Sequence, residues 1–308
     1  MTSTGNLKIS VIIIGYNSEQ SFPKLIESLN NQIANPNLFE IIFVDDGSND
    51  DSANLWNSAK FESKFKLIQH NNNRGRSASR NSGISQAKGE YCLFTNANIV
   101  LPKNWVQGYL DFFTENKKTT GACGLINYTS SDKKFENYLN RKLRGLHRFK
   151  NGDLVPPENV LFANAAIRLD VLKKSGVFDE NFKSYGGQEL DLMLRINESF
   201  PQVQFCGGVS VLRENHPDFQ THCKRLEEFG RFVLPIIFKK HPLYFQNQIR
   251  WLGFLLPATI LLKFCGKIGD KFYRFLPVAA IRIFLKIHAV LGFMQNKTGG
   301  KSIPPVKE

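Results

Sequence analysis

Residues 39–48 read Phe-Glu-Ile-Ile-Phe-Val-Asp-Asp-Gly-Ser. A run of bulky apolar and β-branched residues that stops at Asp-Asp-Gly-Ser predicts a buried strand ending in a turn. The pattern recurs on either side. Upstream, residues 8–14 (KISVIII) form a second such run, followed by Gly15-Tyr16-Asn17. Downstream, residues 65–69 and 90–95 (EYCLFT) supply two more. Between the runs lie helical patterns. Phe22, Leu25, Ile26 and Leu29 share one helix face, Asp50, Asp51 and Ser52 offer caps for a short helix, and residues 77–87 form a small-residue helix closed by Gly89.

This alternation of strand and helix predicts a mainly parallel sheet covered on both faces, in the α/β class. Ligands of such sheets bind beyond the carboxyl ends of the strands. The segments 15–17, 45–48 and 96–98 therefore hold the candidate chemistry. Further along, a helix and a strand are expected within 102–130, a helix over 188–200 and a strand over 203–212. Residues 131–158, basic and polar with weak patterning, read as a loop.

Charge divides the chain of 308 residues. Residues 231–308 carry 13 Lys and Arg against two Asp and Glu, whereas residues 1–230 carry 27 against 25. A basic segment rich in Phe, Leu and Ile points to a polyanionic surface. The composition shift sets an expected boundary at 230, with a main domain over 1–230 and a helical, membrane-associating tail over 231–308. Within the tail, residues 251–262 are too short to span a bilayer, which needs about 20 apolar residues. Residues 272–293 are longer but include Arg274, Arg282 and Lys286. With Lys271 these fall within about 120° of a helical wheel, as in an amphipathic helix lying in the membrane interface. The other reading of the tail is a helical pair packed on the main domain or forming a dimer. No nucleic-acid motif is present, and nucleic acid is not expected as a partner. The five cysteines lack Cys-x-x-Cys spacing and the first seven residues are polar, which fits a reduced, cytoplasmic setting.

The expected sheet edge carries residue types that suit a nucleotide. Tyr16 can stack on a base and Asn17 can bond at the same edge. Asp45 and Asp46 can accept from a base N–H or a ribose hydroxyl, and Arg76 and Arg80, four apart on a helix, suit phosphate. Taken singly, Asp-Asp-Gly-Ser is also a common turn and cap, and the arginine pair is also a common solvated face.

Four stretches in order carry more weight: V-I-I-I-G-Y-N (11–17), I-I-F-V-D-D-G-S (41–48), N-R-G-R-S-A-S-R-N-S-G-I-S-Q-A-K-G-E-Y (73–91) and Y-G-G-Q-E-L-D-L-M-L-R (185–195). Together they resemble the successive motifs of family 2 glycosyltransferases over roughly residues 8–220. The resemblance implies a GT-A fold, a Rossmann-like mixed, mainly parallel sheet flanked by helices. It also implies a nucleotide-diphosphate sugar donor, a divalent Mg or Mn ion, and inversion at the anomeric carbon. By that resemblance Tyr16 and Asp46 sit at the base and ribose, and Arg80 near the donor.

The sequence departs from the family at two places. Where the family has Asp-x-Asp, this chain has Asn96-Ala97-Asn98. Hard dications favour carboxylate-rich sites, so a metal held by Asn98 is expected to be weak or absent. His216 matches a histidine that completes the metal or diphosphate site in relatives, and it also reads as a loop residue beside Pro217. The acceptor-side motif has Gln188-Glu189 where relatives have Glu-Asp. Glu189 remains a competent base. Asp191 lies about 200° away on the same helix, so it reads as structural or acceptor-positioning.

The expected activity is transfer of one sugar to an acceptor hydroxyl of a glycan or lipid-linked acceptor, at an anionic membrane surface on its cytoplasmic face. The Gln-x-x-Arg-Trp signature of processive synthases is absent. The alternative is a non-catalytic, membrane-docked relative that binds a nucleotide sugar or a partner.

Overall fold

The structure is a computed structural model that describes residues 7–182, 184, 186–244 and 273–297. The chain opens β1 (Ile9–Gly15), α1 (Phe22–Asn30), β2 (Phe39–Asp45), α2 (Ser52–Ser58), β3 (Lys64–Gln69), α3 (Arg76–Gln86), β4 (Tyr91–Asn96) and β5 (Ile99–Val100). It continues through α4 (Trp105–Glu115), β6 (Gly121–Tyr128), α5 (Lys133–Leu139), β7 (Ala165–Arg168), α6 (Leu169–Lys174), α7 (Gln188–Ser199) and β8 (Val203–Arg213). Helices α8 (Phe219–Glu228), α9 (Leu234–Lys240) and α10 (Val278–Lys297) follow.

Two compact units emerge. The first comprises residues up to 128, 142–180 and 192–214; the second comprises 129–141, 181–191 and 215 onward. Gly230 lies inside a π-helical turn, Phe229–Val233, that joins α8 to α9 without a break.

The first unit holds the eight-stranded sheet, in the order β3-β2-β1-β4-β7-β6-β8-β5. Strands β3, β2, β1 and β4 are parallel, and β7 and β5 are antiparallel to their neighbours, so the sheet is mixed as the GT-A fold requires. Alternation along β1 feeds two cores. Val11 and Ile13 join Phe22, Phe43, Trp56 and Trp105 on one face, and Ile12 and Ile14 join Ile84, Phe94 and Leu192 on the other. Each such fully buried side chain contributes roughly 1.5–3 kcal/mol. Gly15 pairs with Asp45, Asp45 with Gln69, and Ile14 with Asn96, so four strands end on one line. Cys92, Cys123 and Cys206 are buried thiols. Burial pushes all three up, Cys206 to about 12, far from a reactive thiolate.

The described residues of the second unit form helices α5, α8, α9 and α10 and the start of α7. Residues 131–158, read as a loop, contain α5, whose N-cap Asp132 accepts from the Phe135 N–H and whose Phe135, Tyr138 and Leu139 are buried. Helix α10 meets α8 and the turn that follows it at bare glycines. A Cβ on Gly230 would overlap the Ala289 carbonyl oxygen, and one on Gly292 would overlap that of Glu227. His288 Nδ1 meets Glu227 Oε1 at 2.6 Å in the same contact.

Packing also revises the reading of the tail. Ile281, Leu285, Ile287, Val290, Leu291 and Met294 of α10 are buried, so its apolar face is spent inside the protein. What stays exposed is a narrow strip with Arg282, Ile283 and Lys286, preceded by Phe275 at 83% exposure. Residues 251–262, Lys271 and the side chain of Arg274 lie outside the described residues. No described helix is long and apolar enough to cross a membrane.

Candidate functional site

The first unit assembles its chemistry where β1, β2, β3 and β4 end. After β1, Tyr16 is half-buried, and Asn17 takes a φ of +48°. Asn17 is turned toward the neighbouring loop: its Oδ1 accepts from the Asn49 N–H at 2.9 Å and its N–H donates to Ser48 Oγ at 2.9 Å. After β2, Asp45 is fully buried and accepts from the Ser48 N–H and hydroxyl. Its carboxylate closes its own turn.

Asp46 has a wider task. Its Oδ1 accepts from the Arg74 N–H at 3.0 Å and meets His70 Nδ1 at 2.8 Å, and its Oδ2 accepts from the Gly75 N–H at 2.8 Å. The carboxylate thus folds residues 70–75 against the end of β2. Gly75, at φ +91°, is the residue just before α3, and Arg76 opens the helix half-buried. Arg80 shares that face by spacing but not its exposure. It is 1% exposed, with its guanidinium over the rings of Phe162 at 5.6 Å and Phe178 at 5.2 Å.

After β4, Asn96 is half-buried with Oδ1 sealed from solvent and without a hydrogen-bond partner among the described residues. Asn98 is exposed in the turn to β5. Both bring neutral amide oxygens. Nearby acids are engaged: Asp45 with Ser48, and Glu214 with Lys24 at 2.7 Å. Among the described residues no three His, Cys, Asp or Glu side chains gather as a metal site. This donor set does not fit a hard dication, which selects several charged oxygens.

The second unit carries Gly186 to Asp191 of the fourth motif stretch. Gly186 and Gly187 precede α7 at φ +83° and +86°, a conformation that favours glycine, and a Cβ on Gly187 would overlap Val233. Glu189 is half-buried in the first turn of α7. Asp191 is fully buried, with Oδ1 2.6 Å from Lys240 Nζ and 2.9 Å from His241 Nε2. Gln188 is 4% exposed and its Oε1 has no hydrogen-bond partner among the described residues. Arg195, the last residue of the motif, belongs to the first unit and caps α6 by donating to the carbonyls of Ser175 and Val177. His216 is 7% exposed and packs 5.7 Å from Phe135 and 5.5 Å from His222. Its Nδ1 lies 2.9 Å from the Pro217 carbonyl, which can only accept, so Nδ1 carries a proton.

His70 is the residue that sequence reading passed over. Its one local signal is its place directly after β3, at the same edge as the other strand ends.

Known proteins resemble this chain in sequence and in fold. The poly(ribitol-phosphate) beta-glucosyltransferase of Bacillus spizizenii is 35% identical over 125 residues, 39% of this chain and 20% of that protein. The uncharacterized glycosyltransferase YfnE of Bacillus subtilis is 23% identical over 272 residues, 72% of this chain and 68% of that protein. In structure, S. aureus TarS 1–349 in complex with UDP-GlcNAc matches with a TM-score of 0.59 at 15% identity, over 95% of this chain and 92% of that one. The mannosyltransferase PcManGT of Pyrobaculum calidifontis, in complex with GDP-Man and Mn2+, matches with a TM-score of 0.60 at 14% identity, over 97% and 89%. Those likenesses establish the GT-A fold. The profile of glycosyl transferase family 2 matches residues 10–175, just over half of the 308 residues, so the chain belongs to that family.

Proposed function

We propose that the protein transfers a single hexosyl-type sugar from a nucleotide-diphosphate donor to an acceptor hydroxyl, with inversion, in the synthesis of a cell-surface glycan or glycolipid. The observation that carries the donor half is the common edge of β1, β2, β3 and β4, where Tyr16, Asp46, the 70–75 segment and Arg76 stand together. Glu189 is assigned as the base that takes the proton from the acceptor hydroxyl as that oxygen attacks the anomeric carbon. The nucleoside diphosphate leaves from the opposite side of that carbon. One displacement inverts the centre, and holding the reactants in line supplies much of the rate. Asp191 acts as a positioning residue.

Donor binding is assigned to cationic side chains more than to metal, because Asn96 and Asn98 bring no charge. The experiment is a titration of UDP-, GDP- and dTDP-sugars followed by thermal stabilisation, in EDTA and with Mn2+. One donor should stabilise the protein in EDTA, by about 2.7 kcal/mol at a hundredfold excess over Kd. Asn98→Asp should bring the Mn2+ concentration at half-effect down about tenfold, since affinity for hard cations rises with ligand charge. Donor binding abolished by EDTA in the unsubstituted protein would refute the assignment. The amides also favour a second reading, a nucleotide-sugar-binding relative without turnover. Donor stabilisation without product, for every donor and a panel of glycan and lipid-linked acceptors, would select it.

The membrane half of the proposal places the protein on the cytoplasmic leaflet through the strip that holds Arg282, Ile283 and Lys286. Each basic group near an anionic leaflet contributes about 1 kcal/mol. Replacing Arg282 and Lys286 by Ser should therefore weaken sedimentation with phosphatidylglycerol vesicles roughly thirtyfold at low salt, with little change for neutral vesicles. Equal sedimentation of both proteins would remove the strip from the reading.

A further inference from the structure

We infer that His70 is a positioning residue for the donor site, a buried strut that fixes the Asp46 carboxylate and ties it to α3. The inference rests on the donor reading above and adds a residue to it.

His70 and Asp46 are nearly closed to solvent, with side-chain exposures of 6% and 7%. The imidazole is held at both ends: Nδ1 lies 2.8 Å from Asp46 Oδ1, and Nε2 lies 2.9 Å from Ser82 Oγ in the middle of α3. The neutral Nδ1–H tautomer satisfies all three groups, since Nδ1–H donates to the carboxylate and Nε2 accepts from the Ser82 hydroxyl. The backbone fastens the same place. The His70 N–H donates to the Asp45 carbonyl at 2.9 Å. Gly47, at φ +76°, lets the β2 turn approach so closely that a Cβ there would come within 2.5 Å of the Asn72 carbonyl carbon.

Among the described residues, Asp46 consequently has one oxygen, Oδ1, committed to His70 and the Arg74 N–H, and the other, Oδ2, to the Gly75 N–H alone. A carboxylate oxygen accepts two bonds, so Oδ2 keeps acceptor capacity for a base N–H or a ribose hydroxyl. His70 decides which way that oxygen points. Without the strut, the carboxylate turns about its bond to Cβ and the 70–75 segment that leads to Arg76 loosens with it. His70 itself touches no donor.

Two near-isosteres separate this role from plain core packing. The amide nitrogen of Asn reaches the place of Nδ1 and can donate to Asp46. Gln reaches the place of Nε2, keeping Ser82 and leaving Asp46 unsupported. Isothermal titration with UDP, GDP and dTDP in the full chain, with melting temperatures recorded, reads the difference. For whichever nucleotide binds, His70→Asn should stay within about threefold of the unsubstituted Kd, and His70→Gln should weaken it at least about tenfold at a similar melting temperature. A folded His70→Gln protein with unchanged affinity overturns the inference, as does an equal loss in both variants. No binding of any of the three nucleotides by the unsubstituted protein sinks the donor reading and this inference with it.

Discussion

Glu189→Gln should lower kcat by roughly 10²–10⁴-fold while donor affinity stays within about twofold. The substitution keeps length and hydrogen-bonding capacity and removes only basicity. The fold gives Glu189 a fixed approach. Gly186 and Gly187, both at positive φ, turn the chain sharply into α7, and Val233 fills the space that a side chain on Gly187 would need. Glu189 then stands in the first turn of α7, half-buried. The melting temperature should not move, so loss of turnover cannot be laid to unfolding. Single-turnover kinetics with a saturating donor isolates the chemical step. A rate within about threefold of the unsubstituted protein would remove Glu189 from the base role.

The sequence disclosed the donor half of the fold because its signals are local. The runs 8–14 and 39–44 are apolar on both strand faces and end at turn residues, so each strand announces itself. The failures are non-local. Spacing puts Arg80 with Arg76 on one helix face, suited to phosphate or to solvent, and cannot show that Phe162 and Phe178, more than eighty residues downstream, bury it. Asp46 reads from the sequence as an acceptor for a base N–H or a ribose hydroxyl, and nothing local shows that three bonds already tie it to His70, Arg74 and Gly75. Helix α5 was hidden by its lysines, and only three buried residues and the Asp132 cap mark it. The tail's apolar face read as lipid-facing because a sequence cannot say that Gly230 and Gly292 let two helices meet there. Residue type is legible in a sequence, as at the amides Asn96 and Asn98; burial and partners, as at Arg80 and Asp46, are not.

Asp191→Ala should destabilise the second unit by about 3 kcal/mol, at the lower end of what losing one partner of a buried ion pair costs. The carboxylate is fully buried and faces two basic side chains, Lys240 at 2.6 Å and His241 at 2.9 Å. Removing it leaves them unequal. Lys240 is 32% exposed and can carry its charge to water, so its share is screened, whereas His241 is 6% exposed and loses an acceptor that it cannot replace. Asp191→Asn keeps an acceptor oxygen for His241 and should cost less, about 1–2 kcal/mol. Hydrogen exchange of the amides in α9 and the first turn of α7 reads this directly, since opening need not be global in a chain of two units. A change under about 0.5 kcal/mol in Asp191→Ala would show that the ion pair does not hold the start of α7. The kinetic pattern separates the two acids. Glu189→Gln should lose turnover at full stability. Asp191→Asn should lose turnover only as far as it loosens the turn that carries Glu189, and cooling or added osmolyte should restore both together. If Asp191→Asn lost turnover by 10²-fold or more with exchange protection intact, the base would be Asp191, and its burial between Lys240 and His241 would have to open during each cycle.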